Sequence, residues 1–280
     1  MILEGKYRYL MDDKPIGHSS FGITFRGTCL ETGDKVKIKI RKPERFQNWK
    51  VPEILCPNYR DFIQGPDGQL FLVEEFFEGL DLKSYVRLFK NYRLPPEILK
   101  IIVKLVLLEL EKFEKAGWVH GDIKPSNIIL QYSDKNNNEI LGLRLIDLDT
   151  AAPAGKRLAP YSFVYSPPEL ILGHHELYGI HGDLYSLAIV IWELFVGKTY
   201  LNADHPALLL QLQMSRPLCH HKNISHAMFE VLKKATQIPT FGRPPQTISA
   251  SERIQAFKEA IYQRYHHVDT FRNDFFNVLD

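Results

Sequence analysis

The chain has 280 residues, 45% of them apolar, 24% charged and 12% aromatic, a composition that can bury a large core and that excludes a disordered polymer. Thirty-five basic residues against thirty-three acidic ones leave a formal charge of +2, too even for bulk attraction to nucleic acid or an anionic membrane, so any phosphate chemistry must rest on a local site. Cys29, Cys56 and Cys219 stand far apart with no Cys-x-x-Cys pair, which fits a reducing compartment and argues against a structural zinc site.

The opening MILEGKYRYL has no apolar leader core. The most apolar runs, SLAIVIWELFVG and ILKIIVKLVLLEL, are too short or too lysine-broken to span a bilayer, so a soluble, cytoplasmic protein without a membrane span is expected. Up to about residue 78 the sequence reads as strands: KYRYLM, ITFRGTCL, KVKIKI and LFLVEEF are β-rich runs separated by the turn signals ETGDK and GPDGQ. A small, mostly antiparallel sheet is predicted there. From about residue 79 the period becomes helical, first in LDLKSYVRLF and then in PPEILKIIVKLVLLELEKFEKAG, which opens on prolines and closes on Gly117. This second helix is apolar almost all round and is predicted to be buried. NIIL and LRLIDL flank QYSDKNNNEILG as the arms of a hairpin, and DLYSLAIVIWELFVG reads as another buried helix. Near the C-terminus, RIQAFKEAIYQRYHHVDTFRNDFFNVL reads as an amphipathic helix packed on the larger part of the chain. The order gives an α+β class, with a β-rich part over 1–78 and an α-rich part over 79–280.

Three stretches carry residues that suit chemistry. IGHSSFGIT places Gly17 and Gly22 in a turn between strands, and strand alternation then sets Lys37 and Lys39 on one face, where two cations call for an anion. HGDIKPSNIIL holds Asp122, Lys124 and Asn127, and by spacing alone it is either a capped turn or a site. Asp147, twenty positions beyond Asn127, ends the next apolar strand, and a hairpin would return it toward Asn127. Converging amide and carboxylate oxygens are what magnesium prefers, which would leave Asp122 as a proton acceptor. The pairs His174–His175 and His220–His221 are adjacent, do not share a helix face, and read as surface loops.

Taken in order, these segments resemble a eukaryotic-type protein kinase across nearly the whole chain. GHSSFGIT is similar to the family's G-x-G-x-x-G-x-V loop, VKIK to V-A-I-K, HGDIKPSN to H-R-D-x-K-x-x-N and DLD to D-F-G. SFVYSPPEL resembles T-x-x-Y-x-A-P-E, HGDLYSLAIVIWEL the D-x-W-S-x-G helix, and FGRPP carries an arginine where the family has one. The resemblance implies a single bilobal kinase domain over 1–280, with a small antiparallel β-rich N-lobe (1–78) and a larger α-helical C-lobe (79–280). It implies ATP and magnesium as cofactors and a protein as substrate. Gly17, Ser19 and Gly22 would cover the phosphates, Lys39 would contact the α and β phosphates, and Glu75 and Phe77 would offer backbone groups to adenine. Asp122 would be the catalytic base or the substrate-orienting carboxylate, Lys124 would steady the γ phosphate, and Asn127 and Asp147 would hold magnesium. Ser162 occupies the family's threonine position, Glu169 would pair with Arg243, and a lysine two residues after Asp122 is typical of serine/threonine kinases.

Several positions depart from the pattern. Ser19 replaces a loop glycine, Thr24 a valine, and Lys37 the alanine of V-A-I-K, while Glu74 falls at the gatekeeper and is expected to pair with Lys37 or Lys39. Counting back from CPNY puts Gln47 where the helix glutamate belongs, with Glu44 and Glu53 as displaced candidates. Asp149 stands where D-F-G has glycine and is read as a turn residue. HGD lacks the usual arginine, and Ser166 follows only nineteen positions after Asp147, so activity is expected not to depend on phosphorylation at Thr150 or Ser162. The function expected is transfer of the ATP γ-phosphate to serine or threonine hydroxyls of a protein. The alternatives are a pseudokinase acting as a binding or regulatory scaffold, and a small-molecule kinase of the aminoglycoside or choline kinase type, against which SPPEL, GDLYSL and GRPP argue. No nucleic-acid partner is implied, and the oligomeric state is open.

Overall fold

Alternation in KVKIKIR turns Val36 and Ile38 into an apolar core while Lys37 and Lys39 point to the other face, and in the computed structural model this run is an interior strand of an antiparallel sheet. The structure describes residues 1–19, 22–41, 53–55, 59–133, 139–156, 162–202, 205–241 and 247–279. The chain divides into two compact units, Met1–Glu78 and Gly79–Asp280. An antiparallel sheet followed by a mainly helical unit is the α+β arrangement that the sequence predicts.

The first unit contains β1 (Ile2–Glu4), β2 (Arg8–Ser19), β3 (Gly22–Cys29), β4 (Lys35–Arg41), β5 (Tyr59–Gln64) and β6 (Leu70–Glu75), in the order β1-β2-β3-β4-β6-β5. Tyr9, Cys29, Val36, Ile38 and Val73 are fully buried at its centre. The register of β2 shifts between Met11 and Pro15, as a proline without an amide proton requires. β5 is a strand the hydrophobic pattern does not predict. Its run YRDFIQ is broken by Arg60 and Asp61, and it is held as an edge strand by pairing with β6.

The second unit begins with β7 (Leu80–Asp81) and α1 (Leu82–Val86), a helix shorter than LDLKSYVRLF implies and capped by Asp81, which accepts from the Ser84 amide at 2.9 Å. α2 (Pro96–Ala116) starts on proline and stops on Gly117 in the left-handed region (φ 69°). It is not buried all round: Leu99, Ile102, Val103, Val106, Leu110 and Phe113 face the core, whereas Ile101 and Leu108 are more than 40% exposed. Lysines 100, 104, 112 and 115 keep one side of α2 toward water.

Next come β8 (Trp118–Val119), the hairpin of β9 (Ile128–Ser133) and β10 (Glu139–Leu145), and β11 (Ala152–Pro153), which pairs with β8. α3 (Pro168–Ile171) precedes α4 (Ile180–Val196), a helix buried along almost its whole length, and then α5 (Pro206–Ser215) and α6 (His226–Ala235). The C-terminal amphipathic stretch forms two helices, α7 (Ala250–Tyr262) and α8 (Val268–Leu279), interrupted where Arg264 turns inward. α8 packs against α2, with Arg272 bonded to Glu111 at 2.8 Å. No helix among the described residues is long and apolar enough to cross a membrane.

Candidate active site

After Gly117 ends α2 and β8 pairs with β11, the chain turns through His120 and Gly121 to Asp122, and Pro125 then opens a single 3-10 turn that closes on Asn127. The side chains of this turn converge. Asp122 Oδ2 accepts from Lys124 Nζ at 2.6 Å and from Asn127 Nδ2 at 3.1 Å, while Asp122 Oδ1 accepts from the Ser162 amide at 3.0 Å. Lys124 also donates to Ser162 Oγ at 2.7 Å, and Asn127 Nδ2 donates to the Asp122 carbonyl at 2.8 Å. Asp122 is 6% exposed and Lys124 23%, so the pair is shielded but reachable. Ser162, forty positions away, thus completes a local motif that spacing could only half define.

Two neighbouring segments hold the turn. Ile146 donates its amide to the Asn127 carbonyl at 2.9 Å, continuing the Ile128↔Leu145 register of the hairpin and delivering Asp147 beside Asn127. Asp147 has φ 67° and ψ 56°, a left-handed conformation that aspartate tolerates. His120 Nε2 lies 3.1 Å from the Ile146 carbonyl and Nδ1 accepts from the Asp122 amide at 3.3 Å, so the proton belongs on Nε2. Thr150 Oγ donates to the His120 carbonyl at 2.7 Å from a position only 2% exposed. Asp149 is buried within the 3-10 turn Leu148–Thr150, in keeping with a turn residue.

The anchor beneath the turn is Asp183, at the start of α4. Its Oδ2 accepts from the His120 amide at 2.7 Å, and its Oδ1 accepts from the Gly121 amide at 2.9 Å and from Tyr178 Oη at 3.0 Å. Gly121, at φ 77°, lets both amides face one carboxylate. Burial raises the Asp183 pKa, and the His120 ring, the two amides and the Tyr178 hydroxyl oppose that rise. Sequence reasoning assigned Asp183 no role; its signal is an acid in the first turn of a helix that is buried along almost its whole length.

Glu169, in α3, presents a second buried carboxylate. Its partner is Arg264, which reaches Oε1 at 2.5 Å and Oε2 at 3.0 Å with both side chains 0% exposed. Arg264 also donates to the Gln237 carbonyl at 2.8 Å and stacks over the Tyr185 ring at 5.0 Å. The sequence paired Glu169 with Arg243, which lies outside the described residues.

In the first unit, Glu74 lies opposite Lys37 on β4 and Tyr59 on β5. Its carboxylate is 2.5 Å from Lys37 Nζ and 3.4 Å from Lys39 Nζ, so the expected pairing forms with both lysines. Burial alone would push the Glu74 pKa up, but the charges of Lys39 and Lys37, with hydrogen bonds from Lys37 and Tyr59, bring it down to about 2. Gly17 pairs with Thr24, and Ser19 with Gly22, across the β2–β3 turn. Gly22 has φ +150°, and a Cβ there would stand 1.9 Å from the Ile40 carbonyl oxygen, so β3 and β4 approach only because it is glycine. Glu75 ends β6 opposite Val36, and the Phe76 amide bonds the Lys35 carbonyl at 3.1 Å, just before Phe77. The side chains of Ser19 and Glu53, and residues Glu44 and Gln47, lie outside the described residues.

The donor set suits a hard cation. With Asn127 Nδ2 committed to Asp122, Asn127 Oδ1 is the atom left for a metal, and Asp147 adds a carboxylate from the adjoining turn. Among the described residues no cluster of three or more His, Cys, Asp or Glu side chains could hold a metal. Magnesium, which keeps waters and takes phosphate oxygens, needs no such cage.

A family profile described as protein kinase domain matches residues 10–263. The chain is similar to a probable serine/threonine protein kinase, IREH1, of Arabidopsis thaliana, with 27% identity over 249 residues covering 73% of this chain and 19% of that one. It is similar to a probable serine/threonine-protein kinase of Dictyostelium discoideum, with 28% identity over 228 residues, 69% of this chain and 48% of the relative. A probable serine/threonine-protein kinase of Clostridium perfringens is 25% identical over 253 residues, 84% of this chain and 36% of its own length. The chain thus spans about half or less of these curated relatives.

Proposed function

Because this chain belongs to the protein kinase domain family, we propose that it transfers the γ-phosphate of ATP, with magnesium, to serine or threonine hydroxyls of a protein substrate. The observation that carries the reading is the hydrogen bonding of Asp122. A carboxylate has about four acceptor positions. Lys124 and Asn127 fill those of Oδ2, and the Ser162 amide takes one on Oδ1, which leaves a single direction for an incoming hydroxyl. A hydroxyl bonded there is oriented for attack and passes its proton to Asp122 Oδ1 as its oxygen bonds to the γ-phosphorus and the bond from that phosphorus to the β,γ-bridging oxygen breaks, releasing ADP. Lys124, between Asp122 and Ser162, sets a cation where charge develops on the transferred group. Asn127 Oδ1 and Asp147 would hold magnesium, which when bound would supply positive charge to phosphate oxygens. Lys39 serves the α and β phosphates, and the backbones of Glu75 and Phe77 the adenine.

Two contacts support activity without loop phosphorylation. Ser162 is already fixed by Asp122 and Lys124 through its own amide and hydroxyl, and Thr150 is buried against His120. One observation favours the pseudokinase reading instead: Lys39 lies 3.4 Å from Glu74, a carboxylate competing with phosphate.

Both readings meet in one experiment, transfer of labelled phosphate from Mg-ATP to peptides with serine, threonine or tyrosine acceptors, alongside Asp122→Asn and Asp147→Asn. Transfer to serine and threonine, reduced at least about a hundredfold in either variant, is expected. Nucleotide binding with no transfer by the wild type would establish the scaffold reading.

A further inference from the structure

The second unit contains a cavity of about 460 Å³ beside the turn that carries Asp122, with Pro125 and Val164 in its lining. Those residues tie it to the catalytic turn from both sides. Pro125 follows Lys124 directly, and Val164 lies two positions beyond Ser162. Asp122 and Pro125 are three residues apart, so at most about 11 Å of extended chain separates them. A peptide that presents a hydroxyl to Asp122 therefore brings side chains about three positions away to the cavity.

The lining is electrically lopsided. Lys83, Arg87 and Lys198 are all exposed on it, and none has a salt bridge within 4.0 Å or a side-chain hydrogen bond among the described residues. Among the described residues the one lining carboxylate, Glu193, is occupied from within: it accepts from Tyr165 Oη at 2.9 Å and from the Tyr200 amide at 2.8 Å. Burial pushes its pKa up to about 7, against the pull of those two donors and of Lys83, which further reduces what it can offset. The wall is thus a cationic rim around partly apolar space, suited to a peptide side chain that ends in an anion.

We propose that this cavity receives an acidic or phosphorylated segment of the protein substrate, so that the preferred acceptor hydroxyl is flanked within a few residues by carboxylate or phosphate side chains. The proposal rests on the kinase reading for its consequence, but docking can be measured without catalysis.

The test uses peptides with one serine flanked on its N- or C-terminal side by glutamate, phosphoserine, alanine or lysine, with wild type and Lys83→Glu/Arg87→Glu/Lys198→Glu. Fluorescence anisotropy of the labelled peptides with Asp122→Asn gives binding, and kcat/KM gives turnover. Wild type should favour a glutamate or phosphoserine peptide about tenfold or more over the alanine peptide, and charge reversal should turn the preference toward lysine. Each ratio is taken within one protein, so a partly folded variant does not obscure it. Glutamate against phosphoserine separates the two sources of the anion. Equal handling of alanine and anionic peptides, or an anionic preference that survives charge reversal, overturns the proposal. Acidic binding that charge reversal abolishes, in a wild type that phosphorylates no peptide, sinks the kinase reading and keeps the docking site.

Discussion

Replacing Glu74 by glutamine removes a charge while nearly preserving shape, and it leaves Lys37 and Lys39 sharing one face without their carboxylate. The three side chains are only 12%, 16% and 6% exposed, so water does little to screen the loss. A fall in the Glu74 pKa from 4.5 to about 2, at about 1.4 kcal/mol per pH unit, corresponds to about 3 kcal/mol. That agrees with the ~3–5 kcal/mol lost when one member of a buried pair is removed. Hydrogen exchange of the β4 and β6 amides reads this locally, and at pH 7 the variant should open about a hundredfold more often. The folded-state pKa is depressed, so the contribution is complete above about pH 4.5 and disappears as pH falls toward 2. Adding Lys37→Met to Glu74→Gln removes the cation nearest the lost carboxylate and should restore part of the protection. Exchange within twofold of wild type at pH 7, or a double variant as labile as the single, would refute a stabilising role for the Glu74 charge.

Other outcomes follow from single contacts. Asp183→Asn turns an amide nitrogen toward donors that need an acceptor, which should cost about 1–3 kcal/mol in urea unfolding and lower kcat more than it raises the KM for ATP. Arg264→Lys cannot hold both Glu169 oxygens, and a loss of about 3 kcal/mol in the second unit is expected by denaturant titration; an unchanged midpoint would contradict the buried pair. Gly22→Ala drives a methyl into the Ile40 carbonyl, so the β3–β4 amides should lose protection by more than about 2 kcal/mol. Glu193 is protonated more readily folded than unfolded, so its contribution should weaken stability as pH rises from 4.5 to about 7. Thermal melts of Glu193→Gln should not show that decline.

Much of this was written locally. The alternation of KVKIKIR and the proline and glycine that bound α2 depend on neighbouring residues, so they are legible without a fold. The convergence of Asp122, Lys124 and Asn127 is equally local, because six positions of chain cannot carry them far apart. The pairing of Glu74 with Lys37 or Lys39 could be anticipated because the kinase resemblance puts Glu74 at a buried position, where a charge needs a partner, but the inclusion of both lysines and Tyr59 came from the β4-β6-β5 order. β5 is not legible in the sequence because its polar run becomes a strand only when β6 lies beside it.

The sequence by itself determined the types of most elements, β5 excepted, and the turn that carries Asp122, since 3.6- and 2-residue periods, caps and short spacings act within a few residues. Tertiary structure alone decided that Asp183 holds this turn from 62 and 63 positions away and that Arg264 neutralises Glu169 from 95 positions away. A buried carboxylate must find donors wherever the folded chain brings them, and spacing along the sequence does not encode which segment will arrive.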